Sequence, residues 1–175
     1  MMNKIDLNKI KVVIFDFDNT LATHKDFDFA KHRNKDKETR LNYYLNAYLY
    51  PDTFYETIEP CTRNEALYKL ANILKDKNAN LYCVSGMRFS FHLKAKENFI
   101  NKHYGNYIKL FSCKSQDEKC DAVRIIRAIN NCNLDEMLFI DEQKRNLKRF
   151  RRMGINAMSP IDVKNLLDKE VWLWN

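Results

Sequence analysis

Hydrophobic residues in this chain fall into short unbroken runs separated by longer stretches in which they recur every three or four positions. Residues 11–17 (KVVIFDF) form a β-branched and aromatic run with the length of a strand buried on both faces, and the run ends in carboxylates. Residues 80–84 (NLYCV), 107–111 (YIKLF), 136–140 (EMLFI) and 155–157 are four further runs of similar character. Helical spacing fills the intervals. Residues 63–77 place Leu67, Leu70, Ala71 and Leu74 at i, i+3, i+4 and i+7, behind Thr62 and Glu65 at capping-box separation. Residues 116–130 repeat the pattern with Ala122, Ile125, Ile126 and Ile129, behind Ser115 and Glu118. Residues 90–104 carry Phe91, Ala95 and Phe99 and stop at Gly105, while 143–153 carry Leu147 and Phe150 and stop at Gly154, both convenient left-handed caps.

Strands alternating with helices of this length predict an α/β fold, a parallel sheet flanked by helices. Residues 21–60 interrupt the alternation and are too long for a simple connection. They hold a charged stretch (26–40) and then Leu41, Tyr44, Leu45 and Tyr48 at helical spacing, which reads as a small helical insertion over the sheet. At 175 residues one domain, 1–175, is expected, with 21–60 as an insertion within it. A chain of this length buries roughly 68–70% of its unfolded surface, so it needs no disulfide or structural metal to fold.

Composition narrows the class. Three Gly, three Pro and 13% aromatic residues exclude collagen, flexible linkers and wholesale disorder. Five cysteines without a CxxC pair or a histidine at zinc-ligand spacing read as reduced thiols in a cytoplasmic protein. No signal-peptide core and no run of about 18 apolar residues occurs, so neither export nor a membrane span is expected. The apolar tail 171–174 (VWLW) is expected to pack on the body or on a second copy. A net charge of +7 favours anionic partners. Six cations, Lys144, Arg145, Lys148, Arg149, Arg151 and Arg152, surround Leu147 and Phe150, and read either as a solvated helix face or as a contact for nucleic-acid phosphates. Tyr43, Tyr44, Tyr48, Tyr50 and Tyr55 in the insertion read as packing or as stacking groups for a base or sugar. His24, His32, His92 and His103 belong to no triad.

Open parallel sheets bind ligands beyond the carboxyl ends of their strands, so those ends carry the chemistry. After KVVIF come Asp16, Asp18 and Thr20; after LYCV come Ser85 and Gly86; after EMLFI come Asp141 and Glu142. Asp16 and Asp18, two apart, share a side of an extended chain and repel unless a cation lies nearby. Asp141 as a third carboxylate points to a hard cation such as Mg²⁺, which takes oxygen ligands and completes its shell with substrate phosphate. Ser85, the Gly86 amide and Lys119 would then serve the remaining phosphate oxygens.

These residues resemble the haloacid dehalogenase superfamily of aspartate-nucleophile phosphatases. Asp16-Phe17-Asp18-Asn19-Thr20 resembles its DxDxT motif, and LYCVSG its strand ending in Ser or Thr. Lys119 resembles its helix-start lysine, and FIDEQKRN, with Asn146, its acidic motif. Lys114 is the alternative for the lysine; Lys119 is preferred because it opens the apolar-periodic helix. The resemblance spans residues 11–157. It implies a Rossmann-like fold with 21–60 in the place of a cap, Asp16 as nucleophile, and Asp18 as proton donor and then base. It also implies Ser85 and Lys119 on the phosphoryl group, with Thr20 and Gly86 beside it, and Mg²⁺ held by Asp16, Asp18, Asp141 and Glu142. The expected activity is hydrolysis of a small phosphomonoester. The alternatives are a nucleotide or nucleic-acid-end phosphatase, or a non-catalytic module that grips RNA or an acidic partner through residues 145–152.

Overall fold

The computed structural model describes residues 5–24, 38, 41–42, 45, 48–50, 54, 58–61, 64–87 and 91–170. Its elements in chain order are β1 (Val12–Phe15), β2 (Ala22–His24), β3 (Ile58–Pro60), α1 (Asn64–Asp76), β4 (Asn80–Gly86), α2 (Phe91–Tyr104) and β5 (Ile108–Cys113), then α3 (Gln116–Asn130), a 3₁₀ turn at Leu134–Glu136, β6 (Met137–Ile140), α4 (Lys144–Arg152), β7 (Asn156–Met158) and α5 (Pro160–Glu170).

Five strands form one sheet in the order β5-β4-β1-β6-β7, and every pairing within it is parallel. β1 lies at the centre, with all four residues buried, which is why its sequence is a continuous apolar run instead of an alternating one. Its even and odd positions feed different cores. Val13 and Phe15 join Leu67, Leu70, Leu74, Ile100, Val163 and Leu167 of α1, α2 and α5 on one face. Val12 and Ile14 join Val123, Ile126, Leu147 and Phe150 of α3 and α4 on the other. The chain is therefore α/β, a helix–sheet–helix sandwich, as the alternation of runs and periodic stretches predicted.

The sequence reading contained neither α5 nor the short strands β2 and β3, and two elements that it did contain differ in extent or phase. β4 continues through Ser85 and Gly86, because β5 runs alongside as far as Cys113 and supplies both residues with partners. In α3 the buried stripe is Lys119, Ala122, Val123 and Ile126, while Ile125 and Ile129 are exposed at 52% and 65%. A helix turns about 100° per residue, so Val123 takes the inward position beside Ile126 and the two isoleucines fall on the flank.

β2 and β3 pair antiparallel, joining Ala22 to Pro60 and His24 to Ile58. The inserted segment thus leaves and returns through one ribbon directly after the Asp16–Leu21 turn. Most of that segment lies outside the described residues, as do Thr62 of the proposed capping box, Tyr43, Tyr44, Tyr55 and the tail 171–174. Leu41, Leu45 and Tyr48 are described and are exposed. All five cysteines are free and buried. No helix among the described residues is long and apolar enough to cross a membrane.

Candidate active site

β1, β4 and β6 are adjacent and parallel, with Phe15 opposite both Cys83 and Ile140. Their carboxyl ends therefore deliver Asp16, Ser85 and Asp141 to one edge of the sheet. Asp16 is fixed there by its own backbone, whose N–H donates to the Ile140 carbonyl at 2.8 Å. Past it the chain reverses at once: the amides of Thr20, Leu21 and Ala22 all reach the Phe17 carbonyl, and Asn19 takes a left-handed φ of 58°. Asparagine tolerates that conformation better than most residues.

Lys119 ties the ends together. It stands at the sheet-facing start of the α3 stripe, and its Nζ donates to Asp16 Oδ1 at 2.7 Å and to Asp141 Oδ2 at 3.0 Å. Ser115 caps the same helix by accepting the Glu118 amide at 3.1 Å, which sets the turn that aims Lys119. Lys114, the rival, is exposed and donates its backbone amide to Glu118. Asp141, wholly buried, also accepts from the Gln143 amide at 2.7 Å and from Asn146 Nδ2 at 2.8 Å. Thr20 faces Glu142 rather than the other strand ends. Its hydroxyl donates to Glu142 Oε2 at 3.1 Å and accepts from the Glu142 amide at 3.2 Å, which commits it to holding that acid.

Lys96 is the residue that sequence reasoning missed. Only 2% exposed, it donates to Ser85 Oγ at 2.7 Å and to Asp18 Oδ2 at 3.0 Å, with the Gly86 carbonyl at 3.4 Å. Its ammonium also lies 4.5 Å from the centre of the Phe17 ring. The signal was present in the pattern: on α2 the inward stripe is Lys96, Phe99, Ile100 and Tyr104, a lysine in an apolar row. A lysine is almost never fully buried unless it is paired.

Electrostatics follow from crowding. Burial lifts the Asp16 carboxyl to about 6; Lys119 opposes that rise, while Asp141 and Asp18 reinforce it. Burial, with Asp16 and Asp141 alongside, lifts Glu142 to about 9. Burial works against the Lys119 charge, but Asp16 and Asp141 outweigh it and raise its pKa above the ordinary lysine value. The cluster is short of positive charge. Among the described residues four carboxylates face two ammoniums, Lys96 and Lys119, so with all six ionised two negative charges stand uncompensated.

Oxygens of Asp16, Asp141 and Glu142 all lie within 4.8 Å of one another. An all-oxygen donor set with a double negative excess fits a hard divalent cation and does not fit a soft one. Gly86 has open space where a side chain would begin, which leaves room at the end of β4 for a ligand's oxygens. No family model matches the chain, and no curated protein matches it.

Proposed function

We propose that this protein is a Mg²⁺-dependent phosphatase of the haloacid dehalogenase type, acting on a phosphomonoester through an aspartyl-phosphate on Asp16. One observation carries the reading: Lys119 bridges Asp16 and Asp141 at the carboxyl ends of neighbouring parallel strands. A nucleophilic carboxylate needs a cation on either side of the incoming phosphate, and a second acid beside it needs a reason to be there.

In this mechanism a carboxylate oxygen of Asp16 attacks phosphorus, the bond to the leaving oxygen breaks, and the alcohol departs with a proton from Asp18. Asp18, now a carboxylate, takes a proton from water. That water attacks the same phosphorus, the bond to Asp16 breaks, and inorganic phosphate leaves. Lys119 and the Ser85 hydroxyl hold the charged phosphoryl oxygens. Because the hydroxyl accepts from Lys96, its own proton is free to point at the substrate. Asp16, the Asp18 backbone carbonyl, Asp141 and Glu142 would hold Mg²⁺, which when bound cancels repulsion between nucleophile and phosphate. Asn146 and Thr20 orient Asp141 and Glu142 from behind.

The test is p-nitrophenyl phosphate hydrolysis with Mg²⁺ or with chelator, for the wild type, Asp16→Asn and Asp18→Asn. Asp16→Asn abolishes turnover, and Asp18→Asn lowers kcat by about 10²–10⁴, the range of general acid–base catalysis. Wild-type rates in the Asp16 variant would remove the nucleophile and with it the mechanism.

A further inference from the structure

We propose that α4 is a phosphate-tracking surface that delivers the phosphorylated end of a nucleic-acid strand to this site. The inference rests on the phosphatase reading for its chemistry and on the distribution of charge for its binding. α4 contains six of the chain's 30 Lys and Arg and none of its 23 Asp and Glu. The rest of the chain therefore has 24 cations against 23 acids, and nearly all of the net +7 resides on nine residues.

The helix is divided cleanly. Asn146, Leu147 and Phe150 are buried, and every exposed position is a cation. Three of the six are engaged: Arg145 donates to Gln143 Oε1 at 2.8 Å, Arg149 reaches Asp117 at 3.4 Å, and Arg151 donates to the Ala157 carbonyl at 2.9 and 2.6 Å. Lys144, Lys148 and Arg152 form no ion pair with a described residue. They follow one another at i, i+4 and i+8, a row of about 12 Å at 1.5 Å per residue. Over such a length one strand of a nucleic acid presents roughly three or four phosphates.

Position links the row to the chemistry. It begins three residues after Asp141, and Arg149 fastens it to the first turn of α3, the helix that carries Lys119. Asp16 and Lys119 are 5% and 4% exposed, and a buried pair of this kind is reached more easily by a terminal phosphate than by an internal one flanked by two sugars. With no exposed apolar residue on α4, nothing there reads peptide side chains, whereas an evenly spaced polyanion matches it.

The test compares p-nitrophenyl phosphate, thymidine monophosphate and oligothymidylates bearing a 5′- or 3′-phosphate. For an oligothymidylate, log kcat/KM falls against log salt with a slope of about −2, about a 16-fold loss between about 50 and 200 mM. The two small esters change less than about twofold over that range, as one short-range contact is screened little. The triple variant Lys144→Gln, Lys148→Gln, Arg152→Gln flattens the oligothymidylate slope and leaves p-nitrophenyl phosphate hydrolysis unchanged. Equal salt response for large and small substrates overturns the proposal while the phosphatase reading survives. So does a steep slope confined to an acidic phosphopeptide, assayed as a further substrate over the same salt range. Anisotropy with labelled oligothymidylate separates the remaining case: salt-dependent binding lost in the triple variant, with no hydrolysis of any ester, supports the surface and refutes the phosphatase.

Discussion

Mg²⁺ should stabilise this protein far more at pH 8 than at pH 5, and the site gives the size of the difference. Asp16 titrates at about 6 and Glu142 at about 9 in the folded protein, both above the ordinary carboxylate range. A carboxyl whose pKa rises on folding makes the folded state hold a proton that the unfolded chain has lost. Its stabilising effect is complete below the unfolded pKa and disappears as pH climbs through the folded one. For Asp16 that window runs from about 4 to about 6 and is worth on the order of 3 kcal/mol, at 1.4 kcal/mol per pH unit. Glu142 extends the loss toward pH 9. Between pH 5 and pH 8 about 1.4 kcal/mol of the Asp16 contribution is lost, so in chelator the melting temperature falls by roughly 3–6 °C from Asp16 alone, at 2–4 °C per kcal/mol. Mg²⁺ requires the ionised acids. At a concentration of about 100 Kd it restores about 2.7 kcal/mol at pH 8; at pH 5 only about one Asp16 in ten is ionised, which alone roughly halves the gain, and the protonated Glu142 removes most of the remainder. Scanning calorimetry from pH 5 to 9, with Mg²⁺ or chelator, reads both effects, and Asp16→Asn removes the Asp16 share. Titration calorimetry in buffers of different ionisation enthalpy should also register proton release on Mg²⁺ binding at pH 7. An equal Mg²⁺ gain at pH 5 and pH 8, or binding without proton release, would refute this account of the cluster.

Removing either buried lysine should have a distinct signature. Lys119→Met strands Asp16 and Asp141 without their cation, which costs about 3–5 kcal/mol and lowers kcat by about 10²–10³ through the lost phosphoryl contact; a chelator-treated variant as stable as the wild type would contradict this. Lys96→Met leaves Asp18 and the Ser85 hydroxyl without their common partner. It should reduce kcat at least about tenfold, more for alkyl than for nitrophenyl leaving groups, because only the former depend on Asp18 for a proton. Lys96→Arg, which keeps the charge, should recover part of the loss, and steady-state kinetics on both ester types would show it.

Much of the fold was legible because both of its signals are local. A central strand buried on two faces must be a continuous apolar run, and β1 and β6 are buried at every position. Helices that cover one face of a sheet must repeat at 3.6, and α1 and α4 do so with Leu67, Leu70, Leu74, Leu147 and Phe150 inside. What failed was a choice between neighbouring stripes. In α3 the isoleucines at 125 and 129 satisfied the same arithmetic as Val123 and Ile126, and only the position of the sheet selects between them. The extent of β4 was illegible for a similar reason, since Ser85 and Gly86 belong to a strand only because β5 continues beside them.

The strand-end acids were readable from composition because charged residues have no other reason to follow a buried run. Their company was not. Lys96 looks like one more surface lysine in a helix that also carries Lys94 and Lys102, both exposed, and nothing in its immediate neighbours marks it. It becomes visible only when helical phase is counted from Phe99 and Tyr104 inward. Its ammonium then falls on the row of buried residues, where the cost of desolvation demands a carboxylate. The sheet edge offers one: Asp18, 78 positions earlier in the chain, 3.0 Å away. The same reasoning runs in reverse for Thr20. As part of DxDxT it reads as a phosphate ligand, yet its hydroxyl gives its one proton to Glu142, 122 positions later, and accepts from that residue's amide. Residue type at a strand end therefore announces that a polar site exists, while the division of labour inside it is decided by contacts between distant segments, which sequence spacing does not encode.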